Sequence, residues 1–195
     1  MSTLYRLMYL LGFTPWDGVH PDELRQAIDG PAALPPGRAL DIGSGKGGKA
    51  IYMATHGWQV TAVENVPRAV AQARRRAQAA HATVDFRLGD VTRLQELGLD
   101  PGYNLLFDFG CFHSLKGTQR AAYAAGVTVL AAPGAQLLMM AFTRPLPPVP
   151  SPVSEAELIE RFGDAWTLMW SHPDRSGGTS AMNRAGANWF CLSRR

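Results

Sequence analysis

The stretch that most constrains this chain is Arg38-Ala39-Leu40-Asp41-Ile42-Gly43-Ser44-Gly45-Lys46-Gly47-Gly48, where a short apolar run meets a carboxylate and then a glycine-dense turn. A helical pattern opens directly after it, at Lys49-Ala50-Ile51. Glycine at a strand-to-helix junction permits backbone conformations closed to other residues and lets a ligand touch the main chain. Gly43, Gly45 and Gly48 fit the loose spacing G-x-G-x-x-G, a weak signal alone. Two acids sharpen it: Asp41, and Glu64, which ends the next apolar run (Val60-Thr61-Ala62-Val63) 21 positions after Gly43. A carboxylate there is placed to take both hydroxyls of a ribose.

Charge separates the ligands that such a loop could hold. Gly43 to Lys49 also reads G-x-x-x-x-G-K, but Ala50 stands where a phosphate-binding loop needs the Ser or Thr that ligates Mg²⁺. Asp41 would set a negative charge close to a polyphosphate, and the pyrophosphate of a nicotinamide cofactor meets the same objection. S-adenosylmethionine has no phosphate and carries a sulfonium and an ammonium group. A crevice rimmed by Asp41, Glu64 and Asp90 suits that cofactor.

Asp41-Ile42-Gly43-Ser44-Gly45-Lys46-Gly47 resembles the first motif of class I S-adenosylmethionine-dependent methyltransferases, (D/E)-x-G-x-G-x-G. Glu64 matches the family's ribose-binding acid, with Asn65 beside it, and Gly89-Asp90-Val91 its adenine-binding turn. Tyr103-Asn104-Leu105-Leu106-Phe107-Asp108 resembles the fourth motif, an apolar strand ending in an acid that faces the reaction centre. The resemblance runs over residues 38 to 142, and within the family the chain looks most like bacterial enzymes that methylate small molecules. It implies a doubly wound α/β fold with a mostly parallel seven-stranded sheet, Rossmann-like, under a short N-terminal helical lid. It also implies a cofactor site formed by Asp41, Gly43, Ser44, Gly45, Gly47, Glu64, Asn65, Asp90, Val91 and Asp108, covered by Trp16. S-adenosylhomocysteine would be the product.

The 195 residues, 46% hydrophobic, fit one compact domain with its own core: a lid and linker over 1–37, then the methyltransferase domain over 38–195. No apolar run approaches the about 18 residues of a membrane span, and the N-terminus lacks the pattern of a signal peptide. Cys111 and Cys191 form neither a disulfide framework nor a zinc spacing. A cytoplasmic protein is therefore expected. The net charge of +3 is modest, and Arg74-Arg75-Arg76 reads as the solvated face of a helix, so nucleic acid is not expected as a partner. A homodimer is allowed by the apolar aromatics at both ends without being required.

Alternating strands and helices imply parallel strands with crossover helices. Helices are expected over Gly48 to Thr55, Arg68 to Ala80, Gly117 to Leu130 and Ser154 to Phe162, with shorter ones over Leu4 to Leu11 and Asp22 to Ile28. Strands are expected over Gln59 to Val63, Thr83 to Arg87, Tyr103 to Phe107, Gln136 to Phe142, Trp166 to Trp170 and Ala187 to Ser193. The family's fold is expected to place the only antiparallel strand at the edge. Tyr9 and Trp16 either cover the cofactor or pack the N-terminal segment. Asp90 either serves the ligand or caps the short helix after it.

Methyl transfer is an in-line displacement at carbon, so the protein has mainly to exclude water and align the reactants. Thiols, amines and phenols need little more, whereas an aliphatic or sugar hydroxyl must lose its proton as the bond forms. His113, just past the fourth strand, is the candidate base, with Asp108 orienting it or shaping the acceptor's approach. The alternative is a histidine that only hydrogen-bonds a loop carbonyl. Phe109 and Phe112 either flank the methyl or pack. Arg144 opens a stretch with five prolines in nine residues, a stiff acceptor wall, and binds an acidic or hydroxylated substrate or pairs at the surface. His172 and Asp174 lie in a polar loop; with Asp108 and His113 they would form a hard-metal or sugar site if it folds inward. Some family members use Mg²⁺ in oxygen methylation, but no tight ligand spacing marks a metal here. The expected acceptor is a small molecule, a sugar or phenolic hydroxyl first and a thiol or nitrogen heterocycle second; a silent cofactor-binding module is the rival.

Overall fold

The computed structural model describes residues 20–146, 152–175 and 184–195. Seven strands form one sheet in the order β3-β2-β1-β4-β5-β7-β6. They are β1 (Arg38–Ile42), β2 (Gln59–Glu64), β3 (Val84–Leu88), β4 (Tyr103–Phe109), β5 (Ala131–Phe142), β6 (Trp166–Pro173) and β7 (Ala187–Arg194). The helices are α1 (Asp22–Asp29), α2 (Gly48–Thr55), α3 (Pro67–Ala79), α4 (Gly117–Leu130) and α5 (Glu155–Phe162). Strands β1 to β5 pair in parallel, while β7 runs antiparallel to both of its neighbours, β5 and β6. The antiparallel strand is thus one position in from the edge, a correction to the expected placement. The return from α5 lets β6 run parallel to β5, leaving between them a gap that the last strand fills.

Because side chains alternate along a strand, the strands inside the sheet (β1, β2, β4, β5 and β7) each feed two cores. Leu40, Ile42, Leu106, Leu137 and Met139 face α4 and α5, meeting Tyr123, Val127, Leu158 and Phe162. Ala39, Leu105, Phe107, Leu138 and Met140 face the opposite way, against Leu24 and Ile28 of α1, Met53 of α2 and Ala73 of α3. Helix α3 starts with Pro67 at its first turn and buries Ala69, Val70, Ala73 and Ala77, a spacing that makes one narrow stripe. Its arginines are exposed as expected, yet Arg74 also donates to the Phe86 carbonyl at 2.8 Å and Arg76 to that of Lys46 at 3.3 Å. Helix α5 keeps the predicted cap, with Ser154 Oγ accepting from Glu157 N at 3.1 Å. The Glu157 side chain does not close a capping box; it is drawn to Arg120 (2.6 Å) and Arg161 (2.7 Å). Strand β5 begins five residues before Gln136, because a register shift opposite Tyr103 and Leu105 absorbs the Pro133-Gly134 turn.

The predicted helix over Leu4 to Leu11, the covers Tyr9 and Trp16, and the Pro147 to Ser151 part of the proline-rich stretch lie outside the described residues. Among the described residues, no helix is long and apolar enough to cross a membrane.

Candidate functional site

The glycine turn leaves β1 at the carboxyl edge of the sheet. Gly43, Gly45 and Gly47 all have left-handed φ, +76°, +57° and +76°, whereas Gly48 already belongs to α2. The conformations that require glycine therefore follow G-x-G-x-G and not the dinucleotide spacing that ends on Gly48. Space points the same way: a Cβ on Gly43 would meet Cys111 at 2.8 Å, and one on Gly47 would meet Ala73 and Phe86 at 2.9 Å. The turn is pinned to β2 by Gly43 N and Ser44 N, which donate to the Val63 carbonyl at 2.9 and 3.0 Å.

Glu64 sits at the end of β2, as predicted. Its Oε2 accepts from Gly45 N at 2.9 Å, and its Oε1 accepts from Asn65 N and Val66 N at 2.8 and 2.9 Å. The carboxylate thus ties two loops together and keeps an open lone pair on Oε2. Asp90 accepts from the backbone and hydroxyl of Thr92, at 2.9 and 2.8 Å through Oδ1, so it caps the 3₁₀ turn Val91–Leu97. Val91 is buried in the core face shared with α4.

Three polar atoms around this turn are buried without a hydrogen-bond partner among the described residues: Asp41 Oδ2, Ser44 Oγ and Asn65 Oδ1. Buried polar atoms are normally satisfied, and a cluster of orphans beside bare backbone is what a polar nucleoside ligand would complete. Burial pushes Asp41 up to about 7, with the cation of Lys49 opposing the rise. Lys49 is itself buried, its Nζ 4.4 Å from the centre of the Phe109 ring. That ammonium corrects the picture of a purely acidic rim. The Gly-Lys pair gives the only sequence signal for it, and that signal resembles a phosphate loop.

The loop after β4 differs from expectation. Asp108 is wholly buried and points into the α4 face of the sheet. Its Oδ1 accepts from Cys111 N at 2.7 Å; its Oδ2 accepts from Phe112 N at 3.0 Å and from the Tyr123 hydroxyl at 2.7 Å. Burial raises its pKa to about 7, against these hydrogen bonds. The carboxyl therefore folds its own loop, and among the described residues it makes no hydrogen bond to His113. Tyr123 carries no sequence signal for this role, since it is one aromatic on a helix 15 residues away.

His113 is stacked on Phe142, ring centres 4.3 Å apart, and its Nδ1 accepts from Phe142 N at 3.3 Å. The ring proton consequently sits on Nε2, the nitrogen nearer Gly110. Burial, with Arg120 nearby, pushes its pKa down to about 3. A neutral imidazole whose free nitrogen already bears hydrogen is a donor, so the geometry does not fit the expected general base. Arg120 secures this turn from beneath: fully buried, it pairs with Glu157 and donates to the Leu115 and His113 carbonyls at 3.1 and 3.4 Å.

Phe112 is also buried, edge-on to Tyr123 at 5.2 Å, and packs in the core instead of lining a substrate site. Phe109 is the residue left at the rim, partly exposed and 5.8 Å from the Trp189 ring. Arg144 is exposed at the end of β5, its backbone N donating to the Ala185 carbonyl at 2.9 Å. His172 stacks on Trp170 and stands 4.0 Å from Glu23 of α1, while Asp174 accepts from Trp189 Nε1 at 3.0 Å. These residues reach the correct edge of the sheet but do not converge with Asp108 and His113. Among the described residues, no group of three or more His, Cys, Asp or Glu could hold a metal ion.

Residues 39–134 match a family described as a methyltransferase domain. A 2-heptyl-1-hydroxyquinolin-4(1H)-one methyltransferase of Mycobacteroides abscessus is 31% identical over 137 residues, 68% of this chain and 60% of that protein. The chain thus spans less than two thirds of that relative. The 1,6-didemethyltoxoflavin-N1-methyltransferase of Burkholderia thailandensis, solved with 1,6-didemethyltoxoflavin and S-adenosylhomocysteine, superposes with a TM-score of 0.74 at 20% identity, covering 97% of this chain and 85% of that one. The magnesium protoporphyrin IX methyltransferase of Synechocystis PCC 6803, solved with S-adenosylhomocysteine, gives 0.74 at 16% identity and 99% of both chains. At these identities the structural likeness establishes the fold.

Proposed function

Because the chain belongs to the class I S-adenosylmethionine-dependent methyltransferases, we propose that it methylates a small acceptor on an acidic oxygen, a phenol or a hydroxyl carried by a heteroaromatic ring. When bound, the cofactor supplies an electrophilic methyl group on a sulfonium that leaves as the neutral thioether. Asp41, Ser44 and Asn65 would hold it through the atoms they leave unpaired, with Glu64 on the ribose and the bare backbone of Gly43 to Gly47 against its chain. Phe109 lines the reacting end, and Asp108 keeps the loop behind it rigid through its bonds to Cys111, Phe112 and Tyr123.

The observation that carries the acceptor class is the state of His113. With Nδ1 accepting from Phe142 N and burial pushing its pKa down to about 3, it is poorly disposed to take a proton from a sugar hydroxyl. An acceptor that ionises by itself near neutral pH needs no such help. The mycobacterial relative, named for a ring-borne hydroxyl, agrees with this reading. The enzyme is read as cytoplasmic and as acting without nucleic acid or membrane.

Incubation with labelled S-adenosylmethionine and a panel of phenols, hydroxyquinolones, thiols and sugars tests the proposal by mass spectrometry of the products. Transfer to phenolic or ring hydroxyls, and none to sugars, is expected. Products methylated only on sulfur or ring nitrogen would move the acceptor atom. Tight capture of S-adenosylhomocysteine with no transfer to any class would leave a silent binding module instead.

A further inference from the structure

A second group of polar residues lies at the same edge of the sheet, away from the glycine turn. Phe109 is in register with Met140, Met140 with Trp189, and Trp189 with His172, so one row of side chains crosses β4, β5, β7 and β6 on a single face. Three strand spacings separate its ends, about 14 Å. At the far end Glu23 projects from the first turn of α1, its Oε1 4.0 Å from His172 Nδ1. The Glu23 side chain is only 9% exposed, and its Oε2 is buried with no hydrogen-bond partner among the described residues. Asp174 is held on the other side by Trp189 Nε1 at 3.0 Å and by its own N–H, which donates to the Ala187 carbonyl at 2.9 Å. Burial, with the charge of Asp174 adding to it, raises the Glu23 pKa.

A buried carboxyl oxygen left open next to a second carboxylate calls for a hydrogen-bond donor. Asp22 also supplies a negative charge to the first turn of α1, and the Glu23 carboxyl, which accepts from its own N–H and faces His172, still keeps Oε2 open among the described residues. We propose that Glu23, beside Asp174, forms the far end of the acceptor site and receives a second hydroxyl or a ring N–H of the acceptor whose reacting oxygen lies beside Phe109. The assignment rests on the methyltransferase reading above. It narrows the acceptor to a rigid, roughly two-ring molecule with donors at both ends.

Calorimetry on the full chain saturated with S-adenosylhomocysteine tests it, with 4,4′-dihydroxybiphenyl and 4-hydroxybiphenyl as probes that differ only in the distal hydroxyl. The wild type should bind the dihydroxy probe about tenfold more tightly, the worth of one hydrogen bond to a carboxylate. Glu23→Ala should abolish that preference, and Glu23→Gln, which keeps an acceptor oxygen, should restore part of it. The affinity for S-adenosylhomocysteine, read in the same titrations, should hold in both variants and so report an intact fold. Equal binding of the two probes by the wild type, no binding of either, or a preference that survives Glu23→Ala would each overturn the inference. Failure of the wild type to bind S-adenosylhomocysteine would instead remove the methyltransferase reading beneath it.

Discussion

The turns after β1 and β4 begin alike, with a buried aspartate at the end of a central strand, followed by glycine. Both carboxyls are pushed up to about 7 by burial. Their surroundings differ in one respect. Asp108 has donors on both oxygens, from Cys111, Phe112 and Tyr123, whereas Asp41 keeps Oδ2 unpaired beside Lys49. A shifted pKa therefore does not by itself mark a ligand-binding group; a buried oxygen left without a donor does. The satisfied aspartate builds the site, and the unsatisfied one is left for the ligand.

The comparison is most directly broken by replacing each aspartate. Asp108→Ala leaves three buried donors unpaired, which should cost about 3–5 kcal/mol in denaturant unfolding. Asp41→Asn removes an awkwardly buried charge but also the anion beside the buried Lys49, so its loss should stay below about 2 kcal/mol. Similar losses in the two variants would erase the distinction. Tyr123→Phe deletes one of the three donors, and a loss of about 1.5–3 kcal/mol is expected, with cofactor affinity unaltered.

On the ligand side, Asp41→Asn should weaken S-adenosylmethionine binding about tenfold, seen by calorimetry. In the wild type that affinity should fall as pH drops below about 7, because protonation of Asp41 removes the charge that attracts the cofactor's cation. Stability of the ligand-free protein should run the other way. Each aspartate binds its proton more tightly when folded, at about 7 against an ordinary 3.8, so its contribution is lost as pH rises across that window. His113, lowered from 6.5 to about 3, opposes this between those values, and the decline should be steepest from about 6.5 to 7. Urea midpoints between pH 5 and 8 would test it, and the slope should shrink in Asp41→Asn.

The smallest effect is expected at His113. His113→Gln keeps an acceptor for Phe142 N, and turnover on a phenolic acceptor should remain within about threefold of wild type. A loss of a hundredfold or more, the usual contribution of a general base, would reinstate the histidine as one.

Much of this is legible in the sequence. The limits of α2 and α4 agree residue for residue with the periodicity of the chain, and the other elements differ mostly by one or two positions at their ends. The G-x-G-x-G loop, Glu64 and the acid at the end of β4 stand where the motif places them, because each is a local matter of turn chemistry at a strand end. Phe112 and Phe109 could not be separated, since which of them faces the core depends on the turn between them. The setting of His113 could not be read from the sequence, because its partner is the backbone of Phe142, 29 positions away.

By itself, the sequence determined the order of strands and helices, the left-handed glycines and the family, all of which follow from residues close together along the chain. Only the tertiary structure decided which polar atoms are paired. Tyr123 reaches Asp108 from another element, Lys49 comes to rest over Phe109, and β7 threads between β5 and β6. Glu23 meets His172 across about three quarters of the chain's length. Hydrogen bonding and burial are properties of neighbours in space, and no local pattern encodes who those neighbours will be.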